Sequence, residues 1–318
     1  NTNITIPDAA KANVTTANND SYSYRGVSTS NKADASLVTP TTANTTYYTS
    51  YTYVITVSFT ANGGTETAPS AVAGTGYMNY SGSKSGINVT MPKNTFTKTG
   101  YSFGGWYDSI AKKTYAAGTS ATIDSTRSLS AVWNANELTF NDEEKEITYS
   151  EASQSFNISK AAGNGTGKYS YSITSGDTNG NFSINGLTIS TNKDKVPSVG
   201  TYKLEVTAKD ENSLKTKKAT ITIKVNYATI TYTASSYEGF YDGSGHTIGV
   251  NVTKPTSGAT ITYSTSLNGT YSSTKPSYTN VGTYTIYFKI SAANYNTITD
   301  NGTLTINITN YVSQTLTA

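Results

Sequence analysis

The single histidine, His246, stands in Gly243-Ser244-Gly245-His246, and the chain has no cysteine. Disulfides, thiolate zinc sites and cysteine nucleophiles are therefore excluded, and a multi-histidine metal centre has one ligand to draw on. A Ser-His-Asp triad would rest on His246 alone, in a glycine-rich turn where the ring is expected to be exposed and inert. Acid–base catalysis asks for two positioned carboxylates. The only dense group is Asp142-Glu143-Glu144-Lys145-Glu146, a contiguous run expected to be solvated in the first loop of a sandwich. Glycoside cleavage needs carboxylates from separate elements around a cleft, and no spacing here suggests them. Asp177-Thr178-Asn179-Gly180-Asn181 opens like a twelve-residue calcium loop. It has Phe182 where the loop needs Gly and Thr188 where it needs a bidentate Glu, so it reads as a turn. Gly82-Ser83-Lys84-Ser85-Gly86 lacks the spacing of a phosphate loop. These residues assign no catalytic, metal or cofactor-binding position, and the chain is expected to be no enzyme and to use no cofactor. The aromatic cluster Tyr237, Phe240 and Tyr241 supplies the candidate ligand contacts, because exposed rings stack on sugars and anchor protein partners. The other tyrosines, mostly alternating with Ser or Thr, are expected to line core edges.

The elements that carry these residues are legible in composition. Of 318 residues, 26 are Tyr, 14% are charged, and the formal net charge is +3. Thr, Tyr, Ile and Val favour the pleated, half-buried surface of a strand, while Gly, Asn and Asp punctuate turns. A charge of +3 over this length is too dilute to argue nucleic-acid binding. No run of about 18 apolar residues exists, so no span is expected. The chain opens at Asn1 without an export segment, which reads as a mature or truncated polypeptide.

A repeat organises the second half. Val199-Gly200-Thr201-Tyr202 recurs as Val281-Gly282-Thr283-Tyr284, and each copy opens an alternating strand. In the first, Tyr202, Leu204 and Val206 share a face; in the second, Tyr284, Ile286 and Phe288 do. A partner strand follows each, with Ala219, Ile221, Ile223 and Val225, then Leu304, Ile306 and Ile308, on one side. Period two with one apolar face predicts sheets packed on one side and wet on the other. Turn signals at Gly163-Asn164-Gly165, Asn179-Gly180, Asn185-Gly186, Asp242-Gly243 and Asn268-Gly269 predict short antiparallel strands in two sandwiches, over 135–226 and 227–310. Asn226-Tyr227 and Asn310-Tyr311 close the two copies, so 311–318 is expected to begin a further repeat or linker. Residues 1–50, rich in Asn and Thr, read as a linker or the end of a preceding module, with Tyr22, Tyr24, Tyr47 and Tyr48 leaving room for strand.

Residues 51–134 differ. Tyr53, Ile55, Val57 and Phe59 form one strand ended by Asn62-Gly63-Gly64. The run Lys98-Thr99-Gly100-Tyr101-Ser102-Phe103-Gly104-Gly105-Trp106-Tyr107 and the close Leu129-Ser130-Ala131-Val132-Trp133 follow. Phe103, Trp106 and Trp133 are expected to form a small core. These motifs resemble the Listeria–Bacteroides repeat, a small β-grasp-like module of internalins and many bacterial surface proteins, with Ser130 departing from its usual closing pattern. Residues 135–226 resemble a bacterial cadherin-like or Ig-like domain through Ile173–Ile184 and Gly200–Asp210, and residues 227–310 resemble an Ig-like repeat of Gram-positive surface proteins. The cadherin resemblance implies interdomain calcium at positions such as Asp210. The acidic element it requires is replaced by Asn192-Lys193-Asp194-Lys195-Val196, whose two lysines oppose a cation. An internal Lys–Asn isopeptide bond, known to strengthen some surface sandwiches, needs a buried Lys, an Asn and a carboxylate together, and no motif places them. The sequons at Asn88, Asn164 and Asn268 are expected to be unmodified in a bacterial protein.

The resemblances imply a mainly all-β, elongated chain: a β-grasp-like module followed by two tandem β-sandwiches. The implied role is a monomeric, non-catalytic stalk or adhesion segment, extracellular on a bacterial cell surface. The alternative is a module binding carbohydrate or host protein, attached to an enzyme elsewhere in a longer chain.

Overall fold

The computed structural model describes residues 11, 14–15, 21–41, 45–79, 81–300 and 304–311, and every element it defines among them is a strand. Most of the 311–318 segment lies outside these residues. The chain divides into two compact units. One comprises Asn1–Glu137 with Asn164–Lys168, the other Leu138–Gly163 with Tyr169–Ala318.

The first unit contains β1 (Val14–Thr15), β2 (Ser21–Ser28), β3 (Tyr48–Thr60), β4 (Val72–Asn79), β5 (Lys84–Ser85), β6 (Ile87–Thr90), β7 (Tyr101–Asp108), β8 (Lys113–Tyr115), β9 (Ser120–Ile123) and β10 (Arg127–Ala135). Thirteen residues long and rich in β-branched and aromatic side chains, β3 organises the sheet. It pairs antiparallel with β2 along 48–53 and β4 along 50–57, and parallel with β10 along 57–60. Its alternation buries Tyr53, Ile55, Val57 and Phe59 around a fully buried Trp106. Phe103 and Trp133 are partly buried against that cluster. Residues 21–28 are therefore part of this sheet rather than a linker. The reason is burial: Tyr22 is 1% exposed, with its ring centroid 5.1 Å from that of Tyr53. The glycine-rich stretch before the tryptophan motif forms β4, β5 and β6.

Turn chemistry fixes the register. Asn62 and Gly63 both have positive φ, 45° and 84°. A Cβ on Gly64 would meet the Trp133 ring at 2.7 Å. The indole then closes the turn by donating from Nε1 to the Ala61 carbonyl at 2.9 Å.

The second unit holds two cores. The first is built by β11 (Glu143–Thr148), β12 (Ser155–Asn157), β13 (Tyr169–Ser175), β14 (Phe182–Asn185), β15 (Thr188–Thr191), β16 (Gly200–Asp210) and β17 (Thr216–Asn226). A sheet of order β11-β17-β16-β13 and a smaller one of order β12-β15-β14 enclose Leu204, Val206, Ile189, Ile221 and Ile223. The second core is built by β18 (Ala228–Thr229), β19 (Thr231–Ser235), β20 (Tyr237–Phe240), β21 (Gly249–Lys254), β22 (Thr260–Ser264), β23 (Gly282–Ser291), β24 (Tyr295–Asn296), β25 (Ile298–Thr299) and β26 (Leu304–Thr309). Order β20-β26-β23-β22 faces the pair β19-β21 over Ile286, Phe288, Ile290, Ile306 and Ile308. The two copies of Val-Gly-Thr-Tyr fold alike. Gly200 and Gly282 both sit at φ +156°. The hydroxyls of Tyr202 and Tyr284 reach back to donate to the carbonyls of Ser198 and Asn280, at 2.9 and 3.2 Å.

Two expectations change. The sandwiches are not wholly antiparallel: β11 runs parallel to β17, and β20 parallel to β26. The acidic run is also a strand rather than a loop, since from Glu143 onward its backbone pairs with β17. Replacing Trp106 by Ala is expected to cost about 3–5 kcal/mol of the first unit's stability. In calorimetry one transition should fall while that of the second unit keeps its temperature.

Candidate functional site

Asp142, Glu143, Glu146, Asp177 and Asp210 are each held by a turn or a strand partner. Asp142 accepts from the Thr220 N–H at 2.7 Å. Glu143, whose side chain is 8% exposed, accepts from the Ser159 N–H at 2.9 Å and from the Lys145 ammonium at 2.9 Å. Burial pushes the Glu143 carboxyl up, but the hydrogen bonds and charge of Lys145 and the Ser159 N–H outweigh it and leave the group at about 2. Asp177 accepts from the N–H groups of Asn181 and Phe182 at 2.7 and 2.9 Å, which closes the turn that resembled a calcium loop. Asp210, fully buried, accepts from the N–H groups of Asn212 and Ser213 at 3.0 and 2.8 Å. Glu146 lies between the Lys224 ammonium (3.1 Å) and the Asn226 amide (3.0 Å). This is the Lys–carboxylate–Asn grouping of an isopeptide site, but Lys224 and Glu146 are 55% and 63% exposed. An isopeptide bond needs that trio buried together, and this one lies open to solvent.

The candidate aromatic residues separate into two settings. Tyr237 is in register with the fully buried Ile306 and packs against the second core, so it belongs to the core edge. His246 stacks on it at 4.0 Å with planes 14° apart, and its Nε2 lies 2.9 Å from Asp242 Oδ1 and 3.3 Å from the Tyr237 hydroxyl. The histidine expected to be exposed has a side chain only 12% exposed. A fixed Gly-Ser-Gly turn lets the ring fold back onto the strand, which no local pattern revealed. The Ser244 N–H and His246 hold the Asp242 carboxyl below its usual range. Phe240 and Tyr241 instead face solvent, 51% and 45% exposed, and Phe240 stacks on Tyr311 at 5.1 Å. Tyr311 is the aromatic that sequence reasoning left out; its signal was the Asn310-Tyr311 echo of Asn226-Tyr227. Among the described residues, no group of three or more His, Asp or Glu is placed to hold a metal ion.

Comparison with known proteins places the N-terminal motif. Residues 56–132 match the Listeria-Bacteroides repeat domain. Among curated proteins there is no match. Among solved structures, the Drosophila N-cadherin EC1-4 fragment is similar at 13% identity and a TM-score of 0.25, over 59% of this chain and 55% of that one. The chain thus spans about half the length of that fragment. Protocadherin gamma B7 extracellular domains 1-4 align at 13% identity and a TM-score of 0.31, over 79% of this chain and 74% of that one. A SusE-like surface-located polysaccharide binding protein from the Bacteroides thetaiotaomicron heparin utilisation locus aligns at 10% identity and a TM-score of 0.26, over 82% and 51%.

Within the Listeria-Bacteroides repeat match, the tryptophan motif ends on a buried ion pair. Asp108, 1% exposed, accepts from Arg127 at 2.9 Å and caps the following turn through the N–H groups of Ile110 and Ala111. Burial raises its carboxyl; the Ala111 N–H and Arg127 overcome that and hold it below the usual range. Replacement of Asp108 by Ala removes one of the two carboxylates on the buried guanidinium and is expected to cost about 3 kcal/mol, the low end for a broken buried pair because Asp124 still faces Arg127. Asp108→Asn, which keeps the turn caps, should cost less; urea denaturation measures both.

The Glu143 carboxyl gives a pH dependence with a defined sign. Its value is lower in the folded chain, so its stabilisation is complete above about 4.5 and is lost as pH falls toward about 2. The second unit should lose on the order of 2–3 kcal/mol across that window. Glu143→Gln should flatten this part of the stability–pH curve, which urea midpoints at successive pH values record.

Proposed function

We propose that this chain is a non-catalytic, extracellular segment of a bacterial surface protein, whose modules serve as stalk and adhesion elements. One observation carries the reading: each module's main sheet holds a parallel pair, β3 with β10, β11 with β17 and β20 with β26, and in the first sandwich that pair is the strand by which the chain enters and the strand by which it leaves. Parallel partners run the same way, so the chain enters such a module at one end of the sheet and leaves at the other. For β11 and β17 that offset is about 20 Å, from six paired residues at the rise of a strand. Modules of this kind add reach when joined in series and need no shared active site. The dispersed use of carboxylates as turn caps and strand partners supports a non-catalytic role, and the Listeria-Bacteroides repeat match supports the surface setting.

A second reading has its own observation. The exposed Phe240–Tyr311 stack beside Tyr241 offers flat apolar area of the kind that binds sugar faces or host proteins. Antibodies raised against the chain should label intact cells of the source bacterium; labelling that appears only after lysis would sink the surface assignment. On a glycan array and a host-matrix screen, the stalk reading expects no binder. A binder lost on both Phe240→Ala and Tyr241→Ala would select the second reading.

A further inference from the structure

The second unit contains a finished junction between two sandwiches, and its parts can be read residue by residue. Asn294, at φ +66°, uses both ends of its amide chemistry. Its side-chain oxygen accepts from the Val199 N–H at 2.9 Å, and its backbone carbonyl accepts from the Ala228 N–H at 3.0 Å. The next residue, Tyr295, is buried and meets the ring of Tyr149 edge-on at 5.6 Å. Tyr149 packs against both cores. The acceptor surface on the first sandwich is therefore Tyr149 plus Val199, and the plug on the second is the Asn294-Tyr295 turn.

The second sandwich carries the same acceptor surface at its own far end. The repeat places Val281 at the position of Val199, each followed by a glycine at φ +156°. Gly200 pairs with Val225 and Gly282 with Ile308, so Thr309 is the counterpart of Asn226. Tyr149 donates its N–H to Asn226, and Tyr241 donates its N–H to Thr309, at 2.8 and 2.9 Å. Tyr241 thus occupies the place of Tyr149. In the first sandwich Tyr149 and Val199 are half-buried; in the second, Val281 is 44% and Tyr241 45% exposed.

We propose that the Tyr241–Val281 end of the second sandwich is a docking surface for a following sandwich module bearing an Asn-Tyr turn like Asn294-Tyr295. The inference rests on the stalk reading and names the partner its end receives. A second copy of this chain does not fit, because its Asn294-Tyr295 turn is already seated on its own Tyr149 and Val199. One contact has no counterpart: Thr256 donates to Glu151 at the existing junction, and the position of Glu151 is taken by Gly243. The shared elements are the ring and the capped amide.

Amide hydrogen exchange in the full chain tests this. Asn294→Ala should speed exchange of the Val199 amide about tenfold, the loss of one hydrogen bond; no change would remove the template and the proposal with it. The full chain is then extended by joining a second copy of residues 227–311 directly after Thr309. Exchange at Val281 should slow about tenfold relative to the unextended chain. Both Asn294→Ala in the added copy alone and Tyr241→Ala should reverse that slowing, and neither alters a core residue. Equal Val281 exchange in the extended and unextended chains overturns the docking while leaving the cell-surface labelling result standing. A glycan bound by the unextended chain through Tyr241 would also overturn it.

Discussion

In the first sandwich the strand by which the chain enters, β11, lies hydrogen-bonded and parallel to the strand by which it leaves, β17, and the main sheet of each of the other modules also holds a parallel pair. Parallel strands cannot be joined by a tight hairpin, so the chain between β11 and β17 must cross over and return, and part of it, β12, β14 and β15, forms a second sheet. That layer supplies the other wall of the core. With both walls present, the alternating faces of β16, β17, β23 and β26 have something to pack against, and the hydroxyl-rich faces are left to water. In the first sandwich the same pairing places the chain's entry and exit at opposite ends of the sheet, which turns a packing constraint into a means of connection.

Polar chemistry in this chain is spent on holding those elements together. Asp108, Asp177 and Asp210 each accept backbone N–H groups of adjoining turns. Buried or half-buried carboxylates in such positions must be hydrogen-bonded, since a bare charge would be costly away from water. Glu143 links β11 to the turn after β12, and its carboxyl is held low by the same contacts. A perturbed carboxyl is often the mark of a catalytic group, yet here the cause is a lysine two residues away and a neighbouring backbone amide. The chemistry explains the perturbation without a substrate.

Aromatic side chains divide by whether their strand position faces a core. Tyr237 and Tyr284 share a register row with Ile306 and pack inward. Phe240 and Tyr241, at the end of the same strand and just beyond it, run past the core and stay open. The sequence cluster Tyr237–Tyr241 therefore contains one structural residue and two surface ones, and a period-two count from Tyr237 alone does not separate them, because the strand ends within the cluster.

Local pattern determined the class of fold, the faces of the long strands, the Asn-Gly turns and the equivalence of the two Val-Gly-Thr-Tyr segments. Period-two alternation and left-handed turn residues act within a few residues, so they can be read without knowing what lies opposite. The tryptophan motif was legible for a similar reason: Trp133, Ala61 and Gly64 form one compact turn lock with characteristic residues. Only the tertiary structure decided the parallel pairing of β11 with β17, the strand state of the acidic run and the incorporation of residues 21–28 into the first sheet. It also folded His246 onto Tyr237 and seated Asn294-Tyr295 against Tyr149 and Val199. Each of these joins residues far apart in the chain, where the choice of partner depends on which edges and surfaces the rest of the fold leaves open.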